Sequence, residues 1–362
     1  MTIDEEIFNQ LKTKDYYDGA ELLKMKDEEG EEPNIYFSLS ARSFGKTTWF
    51  YNYLMLRSLK LHERFVLLTR NKLDINGVCQ NFINSYFFIE DLDTTKFKVV
   101  NLADGVVKQI WYEDMIIGHV LGLTSSNKLK TISKLLEVDI GYTFFDEFIV
   151  EAGSFYLTNE VYKLQSILQS IYRNKPYKLI CAANLITSIC PIFGSMRNLA
   201  NQDITDIMAM HPEAKKIKGI GWVLRISEQT QSLKRTLSHN NRAFGASEYF
   251  EMSMSSEFND DKTLIDKSIR SEKRTDVFYL NCNNNYYKLS LTKQGIYYFE
   301  EYKKEIPLGS LIYTITKSNI GPAQFISNNA VIRNQLRDIF DVGRVYFDKL
   351  SSKMLYINYI KY

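Results

Sequence analysis

The stretch SLSARSFGKTTWF, Ser38 to Phe50, ends in the manner of a phosphate-binding loop. Such a loop needs converging backbone N–H groups, a helix behind them, a lysine for the β and γ phosphates and a hydroxyl for magnesium. Gly45, Lys46 and Thr47 supply the last part of that pattern. The stretch therefore predicts a nucleotide site with ATP and Mg²⁺ as cofactors, made of Ser40, Ala41, Arg42, Ser43, Phe44, Gly45, Lys46, Thr47 and Thr48.

Two residues of this stretch are unusual for such a loop. Ser40 stands where the pattern has its first glycine, and Arg42 lies inside the loop. The first position usually relaxes a tight turn after the strand, and a small hydroxyl residue fits there if its backbone conformation stays allowed. A Gly-Lys-Thr triplet is common by chance, so the stretch alone leaves an ordinary strand-to-helix turn as the alternative.

The segments around the loop predict an α/β core. An apolar run, NIYFSL at 34–39, precedes the loop, and apolar residues at helical spacing follow it over 46–61. Further apolar runs at 64–70, 140–150 and 177–185 are typical of strands buried on both faces of a parallel sheet. The turn residues Asp104-Gly105 predict a hairpin between two further strands. Strands alternating with helices favour a doubly wound α/β domain over residues 1–206.

An acid pair supplies the second half of the nucleotide site. The strand TFFDEF ends in Asp146-Glu147. Its position predicts that Asp146 lies beside Thr47 and completes the magnesium site, while Glu147 polarises the attacking water. Isolated acids at such a position are more often solvated capping residues. The loop and the acid pair lie at strand ends in the right order, which favours ATP hydrolysis.

Composition excludes several other classes. The 45 basic and 43 acidic residues leave a net charge of +2, so any contact with nucleic acid has to be local. The four cysteines are widely spaced and predict neither a zinc cluster nor a disulfide framework. The first residues are acidic, and no run approaches the ~18 apolar residues that a membrane span needs. We therefore expect an intracellular protein that does not enter a membrane.

The chain changes character after residue 206. Residues 207–268 are polar and poorly periodic, as expected of a linker subdomain rather than a continuing sheet. Residues 269–362 combine aromatic strands with a helix and predict a small α+β domain. Two-metal nuclease chemistry needs several converging carboxylates, and the strands VFYLNCN and YYKLSL carry no internal acid. Asp338, Asp341 and Asp348 are explained by a helix end and its turn, so we expect no cleavage activity.

With these residues in place, the chain resembles the large-terminase-like DNA-packaging ATPases of tailed bacteriophages, most closely those of phi-29-type podophages. Arginine within the loop, as in SARSFGKT, is typical of these motors, and so is tolerance of a non-glycine first position. The segments RFVLLTRNK, FFDEFI, LQSIYRN and CAANLITSICPIF follow in the family's order. The resemblance implies an ASCE-type P-loop ATPase domain, a linker, and a C-terminal RNase H-like domain whose nuclease site is vestigial.

The resemblance also implies roles for single residues. Arg173 would act as an arginine finger on the neighbouring subunit's γ-phosphate, together with Arg42 and Lys46 in the catalytic set, and Asn184 would couple the nucleotide to motion. Arg70 and Lys72 would contact DNA in the channel. The residues alone have simpler explanations: Arg173 as a surface arginine that caps the C-terminus of a helix, and Asn184 as an asparagine in a turn. A trans-acting lysine near Lys128 or Lys130 is implied without a fixed register.

The implied partners are double-stranded DNA, further copies of the chain in a ring that is pentameric by resemblance, the portal or connector, and a structural prohead RNA. The last domain would dock through Tyr286, Tyr287, Lys288 and Arg344, although aromatic residues in strands usually belong to a core. The protein would act in the host cytoplasm, docked transiently on the procapsid. Two alternatives stay open: another P-loop motor, such as a helicase or phage-assembly ATPase, and a DNA-binding structural protein with a degenerate nucleotide site.

Overall fold

A computed structural model describes residues 2–13, 16–85, 87, 89–90, 92–132, 139–150, 156–188, 190–211, 213–240, 264–266, 273–282, 285–314, 323–325 and 330–361. The chain divides into two compact units, Met1–Asp260 and Asp261–Tyr362. Each unit contains one mixed sheet with helices, so the expected α/β class is confirmed.

The described part of the first unit contains a nine-stranded sheet in the order β3-β4-β5-β2-β6-β7-β1-β9-β8. Its strands are β1 (Ile35–Ser40), β2 (Arg64–Thr69), β3 (Phe97–Leu102), β4 (Val107–Tyr112), β5 (Met115–Gly122), β6 (Ile140–Asp146), β7 (Leu179–Asn184), β8 (Lys216–Gly219) and β9 (Trp222–Ser227). The six central strands pair in parallel, and they are β5, β2, β6, β7, β1 and β9. The strands β3, β4 and β8 join the sheet antiparallel.

Helices cover both faces of this sheet, which is why its central strands β1, β2, β6 and β7 are largely buried, whereas the edge strands β3 and β8 are partly exposed. The helices are α1 (Ile3–Gln10), α2 (Ala20–Leu23), α3 (Lys46–Leu61), α4 (Ile75–Ile83), α5 (Ser126–Ile132), α6 (Glu160–Tyr172), α7 (Ile204–Met210) and α8 (Gln231–Asn240). Successive side chains of a strand point to opposite faces. In β1, Phe37 and Leu39 join the core beneath α6 and α7, while Tyr36 joins the core beneath α1, α3 and α4.

Parallel pairing brings the carboxyl ends of three strands together. Ser40 at the end of β1 is in register with Asn184 at the end of β7, and Asp146 at the end of β6 is in register with Ala182. β7 therefore lies between β1, which leads into the predicted loop, and β6, which carries the acid pair. The predicted turn at Asp104-Gly105 does join β3 to β4, with left-handed φ values of 54° and 72°.

The sheet continues beyond residue 206, contrary to the expectation from composition. β9 pairs in parallel with β1 along its whole length, and β8 pairs with β9 at the sheet's edge. The polar texture of this region misled the prediction because β8 is short and exposes its lysines, Lys216 and Lys218. The buried residues of β9, among them Trp222 and Leu224, belong to the same core as β1.

The second unit contains a separate sheet, in the order β14-β13-β10-β11-β12-β15 among its described residues. Its elements are β10 (Arg274–Cys282), β11 (Asn285–Thr292), β12 (Tyr297–Tyr302), β13 (Ile312–Thr314), β14 (Gln324–Phe325), β15 (Val345–Phe347), α9 (Ala330–Asp341) and α10 (Leu350–Lys361). The strands β10, β11 and β12 form an antiparallel meander, and β13 and β14 add in parallel on the β10 side.

In the described part of the chain, no helix has the length and apolar character that crossing a membrane requires.

Burial of a histidine gives the first unit a pH-dependent stability. His119 in β5 is fully buried, and this burial, with Arg64 nearby, lowers its pKa to about 4. An unfolded histidine titrates near pH 6.5, so below that pH the unfolded chain binds a proton that the folded chain resists. This contribution to stability is present above about pH 6.5 and is lost as the pH falls towards 4.

We expect His119→Leu to remove this dependence. Between about pH 7.5 and about pH 5 the wild type should lose roughly 2 kcal/mol more stability than the variant, because the leucine cannot titrate. Denaturant unfolding at both pH values measures the difference. Equal losses of stability in the wild type and the variant would contradict the assignment of this pH dependence to His119.

Candidate nucleotide-binding site

The predicted loop connects β1 to α3 at the carboxyl edge of the first sheet. Ser40 is the last residue of β1 and is fully buried. The left-handed turns that the loop needs fall later, at Ser43 (φ 57°) and Gly45 (φ 90°). The serine at the first position therefore sits in an extended conformation that any residue adopts, while the glycine that remains is where φ requires it.

Lys46 begins α3, and its ammonium group lies inside the loop. Its Nζ donates to Ser40 Oγ at 2.7 Å, to Asn184 Oδ1 at 3.1 Å and to the Ala41 carbonyl at 3.4 Å. The side chain is 6% exposed, and burial lowers its pKa to about 8 against the opposing effect of Asp146 and Glu147. The predicted coupling residue and the predicted phosphate lysine are thus in direct contact.

Thr47 contacts the acid pair as the sequence predicts. Its Oγ1 donates to Asp146 Oδ2 at 2.6 Å, and the other carboxylate oxygen of Asp146 accepts from the Glu147 N–H at 3.0 Å. Burial raises the pKa of Asp146 to about 6, and Glu147 beside it acts in the same direction. A bound cation would offset both effects, since it favours the charged carboxylate.

Glu147 occupies the turn directly after β6, with its side chain exposed. Its φ of 53° is in the left-handed region, which a non-glycine residue adopts only where its surroundings hold it. The turn is held by Arg70 at the end of β2. Arg70 donates to the Glu147 carbonyl at 3.2 Å and to the Phe148 carbonyl at 2.8 Å.

Arg70 also forms a buried ion pair. Its guanidinium contacts the carboxylate of Glu160, the first residue of α6, at 3.0 Å and lies 5.5 Å from the ring centres of Phe145 and Tyr156. The side chains of Arg70 and Glu160 are 13% and 0% exposed. In this arrangement the guanidinium of Arg70 is bonded to the turn at Glu147 and to Glu160, and the DNA contact predicted for it stays a prediction.

Lys72, the other predicted DNA contact, lies differently. Its side chain is exposed, and its Nζ donates to the Asp104 carbonyl at 3.3 Å. Lys128 is also exposed, on α5, while the side chain of Lys130 lies outside the described residues. Both DNA contact by Lys72 and a trans-acting role for Lys128 stay predictions.

Arg173 follows the last residue of α6 and lies at the opposite edge of the sheet. Nearby, Lys175 pairs with Asp139, which precedes β6, and so this end of α6 adjoins the amino ends of the strands. The backbone of Arg173 has φ 52° and ψ −105°, an uncommon conformation for a residue with a side chain. Arg173 is exposed and is positioned away from the loop of its own chain.

Sequence reasoning missed two residues of the site. Glu160 is one, because an acid at a helix start gives no sign that it pairs with a residue 90 positions earlier. Gln229, just after β9, is the other. Its Nε2 donates to the Arg42 carbonyl at 2.5 Å, which ties β9 to the loop. Gln229 falls in the polar segment that composition predicts to be a linker, which hides its place beside the loop.

The assembled residues fit a nucleotide with magnesium. Mg²⁺ is usually held by one or two protein oxygens together with substrate phosphates and water. Thr47 Oγ1 and Asp146 Oδ2 provide such a pair, and no cluster of three or more His, Cys, Asp or Glu competes for a metal elsewhere in the described residues. Lys46 would supply a cation for the phosphates, and Glu147 would offer an exposed carboxylate next to a metal held by that pair.

Comparison with known proteins places the chain among phage proteins. The sequence profile of the podovirus DNA encapsidation protein (Gp16) family matches residues 14–361. The DNA packaging protein of Bacillus phage phi29 is 23% identical over 331 residues, which cover 86% of this chain and 89% of that protein. The DNA packaging protein of Bacillus phage PZA has the same identity and coverage.

Solved structures agree with this at the level of the fold. A chain of the bacteriophage Phi-29 viral genome packaging motor assembly superposes with a TM-score of 0.66 and 18% identity, over 96% of this chain and 99% of that one. A chain of the Phi-28 gp11 DNA packaging motor gives 0.66 and 16%, over 95% and 97%. Because the profile covers nearly the whole sequence, this chain belongs to the podovirus DNA encapsidation protein (Gp16) family of phage DNA-packaging ATPases.

Proposed function

We propose that the chain forms a homo-oligomeric ring that moves double-stranded DNA into a procapsid, with ATP hydrolysed between the loop at Ser40–Thr48 of one subunit and Arg173 of the next. The observation that carries the nucleotide site is the 2.6 Å contact between Thr47 and Asp146, with Glu147 in the following turn. The position of β7 between β1 and β6 supports an ASCE-type ATPase, in which a strand separates the loop strand from the acid strand.

Each side chain has a definable task in hydrolysis. Thr47 and Asp146 would hold Mg²⁺, which when bound draws charge from the β and γ phosphates. Lys46 binds those phosphates, and Glu147 accepts a proton from the attacking water. Arg42, half-buried in the loop, adds a second positive charge beside the nucleotide. Asn184 lies between the loop and the acid pair, where it can respond to the γ-phosphate.

The place of Arg173 supports a shared site. An arginine finger neutralises charge that grows as the γ-phosphoryl group transfers. Because Arg173 lies at the edge of the sheet opposite its own loop, it suits the site of a neighbour. Its uncommon backbone conformation supports a functional role, since such conformations cluster at functional positions.

Mixing two inactive variants tests the shared site. Glu147→Gln removes the base of its own site, and Arg173→Ala removes the group that completes a neighbour's. We expect each variant alone to lose at least about a hundredfold in DNA-stimulated ATP hydrolysis and the mixture to recover a fraction of it, because some boundaries pair an intact loop with an intact arginine. Turnover measured against mixing ratio gives the result. Hydrolysis that persists in Arg173→Ala, or a mixture with no recovery, would oppose the proposal.

The backbone at Arg173 gives a second prediction. Glycine adopts φ 52° and ψ −105° without strain, so Arg173→Gly should stabilise the protein by about 1 kcal/mol relative to Arg173→Ala. Both variants should be equally inactive, because both lack the guanidinium. Denaturant midpoints and hydrolysis rates measured side by side check this. Equal midpoints would show that the conformation carries no strain.

We further propose that Arg70 positions Glu147 and does not grip DNA. Arg70 uses three separate nitrogens of its planar fork, Nε for Glu160 and the two Nη atoms for the two carbonyls, whereas the donors of a lysine all leave from one nitrogen and do not match that geometry. Arg70→Lys should therefore lower kcat about ten- to a hundredfold with the KM for ATP and the affinity for DNA unchanged. The control is Lys72→Ala. It should weaken DNA binding, reduce the slope of log K for DNA against log[salt] by about one, and leave DNA-independent hydrolysis unchanged.

The opposite pattern, weaker DNA binding in Arg70→Lys with normal hydrolysis, would return Arg70 to the DNA contacts. A preference for single-stranded DNA in either protein would favour a helicase.

For the domains, we propose a motor domain over 1–206 extended by β8 and β9, a linker within 207–268, and an RNase H-like domain over 269–362. The strand order β12-β11-β10-β13-β14, with three antiparallel strands followed by two parallel ones, supports the last assignment.

We also propose that the last domain does not cleave DNA. On one face of its sheet, Lys288 pairs with Asp276 at 3.2 Å and with Glu300 at 3.6 Å, and Arg274 pairs with Glu300 at 3.1 Å. Protein cations thus already neutralise these two carboxylates. Lys288 is 15% exposed and Tyr287 stacks on Phe299, so these two are poor docking residues. Arg344 is exposed and remains the better candidate for the connector or a structural RNA.

A further inference from the structure

The ammonium group of Lys46 has a complete set of acceptors within its own chain. An ammonium has three N–H donors, and Nζ reaches Ser40 Oγ at 2.7 Å, Asn184 Oδ1 at 3.1 Å and the Ala41 carbonyl at 3.4 Å. A buried charge is costly unless it is paired or hydrogen-bonded, and these three oxygens meet that need. The lysine is therefore well placed even when no phosphate is present.

The shortest of these contacts is made by the residue that departs from the loop pattern. A glycine at position 40 has no side chain and could not accept from Lys46. The Ser40 hydroxyl donates its own hydrogen to the Ala41 carbonyl at 2.9 Å, which leaves its oxygen as the acceptor. Ser40 is fully buried at the end of β1, so the hydroxyl has a fixed position between β7 and β9.

The same donors are needed by the nucleotide. On the proposed function, Lys46 donates hydrogen bonds to the β and γ phosphates. An N–H that donates to Ser40 or Asn184 cannot donate to a phosphate oxygen at the same time. We propose that Ser40 and Asn184 hold Lys46 in a position that competes with bound nucleotide, so that the Ser40 hydroxyl weakens nucleotide affinity and speeds the release of ADP. This inference rests on the proposed nucleotide site.

A consequence concerns Asn184. While Lys46 donates to Asn184 Oδ1, that oxygen is occupied, and movement of the lysine onto a phosphate frees it. Nucleotide binding in the loop thereby changes the hydrogen bonding of Asn184 at the end of β7, next to β6 and the acid pair. Ser40 acts as a positioning residue in this exchange, because it reaches the nucleotide only through Lys46.

Release of a fluorescent ADP analogue tests the proposal on the full-length chain. We expect Ser40→Ala and Ser40→Gly to bind the analogue about tenfold more tightly, equivalent to about 1.4 kcal/mol, mainly through slower release measured by stopped flow. Two variants are used because the alanine methyl group or the glycine flexibility could each disturb the loop on its own. Tighter binding is a change that damage to the fold would not produce.

Ser38→Ala is the matched control. Ser38 is also fully buried in β1, but its hydroxyl contacts Tyr17 at 2.6 Å and not Lys46. It should release the analogue at the wild-type rate. Unchanged or weaker binding in both Ser40 variants would overturn the proposal while leaving the nucleotide site intact. If the wild type binds no better than Lys46→Ala, the nucleotide site itself fails, and this inference fails with it.

Discussion

Parallel pairing of β1 with β7, and of β7 with β6, is the constraint on which the site depends. Each of these strands ends in a polar residue, Ser40, Asn184 and Asp146, and parallel register brings the three ends to one edge. The 2.6 Å contact of Thr47 with Asp146 and the bonds of Lys46 to Ser40 and Asn184 follow from that register. A shift of one residue would turn these side chains to the other face of the sheet. The apolar interior that fixes the register therefore also fixes the chemistry.

Much of this arrangement was predictable from the sequence because it depends on local patterns. The strand before the loop, the helix that begins at Lys46 and the acid pair after β6 follow from runs of apolar residues and from the residues that interrupt them. The expected contact of Thr47 with Asp146 requires only that the loop after β1 and the end of β6 lie at the same edge of one parallel sheet. The α/β class and the membership of a packaging family rested on the same segments, in the same order.

The rest depended on contacts between distant residues, which leave little trace in a single sequence. Arg70 looked like a surface charge because its partner, Glu160, is unremarkable in its own segment, yet the pair is buried and holds the turn at Glu147. β8 and β9 lie in a stretch whose polar composition resembles a linker, and their place in the sheet is set by pairing with β1. Gln229 was missed for the same reason. The serine at position 40 is unusual in the sequence pattern, but its bond to Lys46 depends on the folded loop and has no sequence signal.

On the proposed mechanism, one helix of this chain adjoins two catalytic centres. The first residue of α6, Glu160, is bonded through Arg70 to the turn that carries Glu147, and its last turn leads into Arg173. A helix of 13 residues is about 20 Å long, so α6 spans the distance between these two ends as one element. On the proposed mechanism, each subunit contains a mechanical linkage between its own hydrolysis site and that of its neighbour. Successive hydrolysis events around the ring would then be ordered by direct transmission from one subunit to the next, without a signal passing through the DNA.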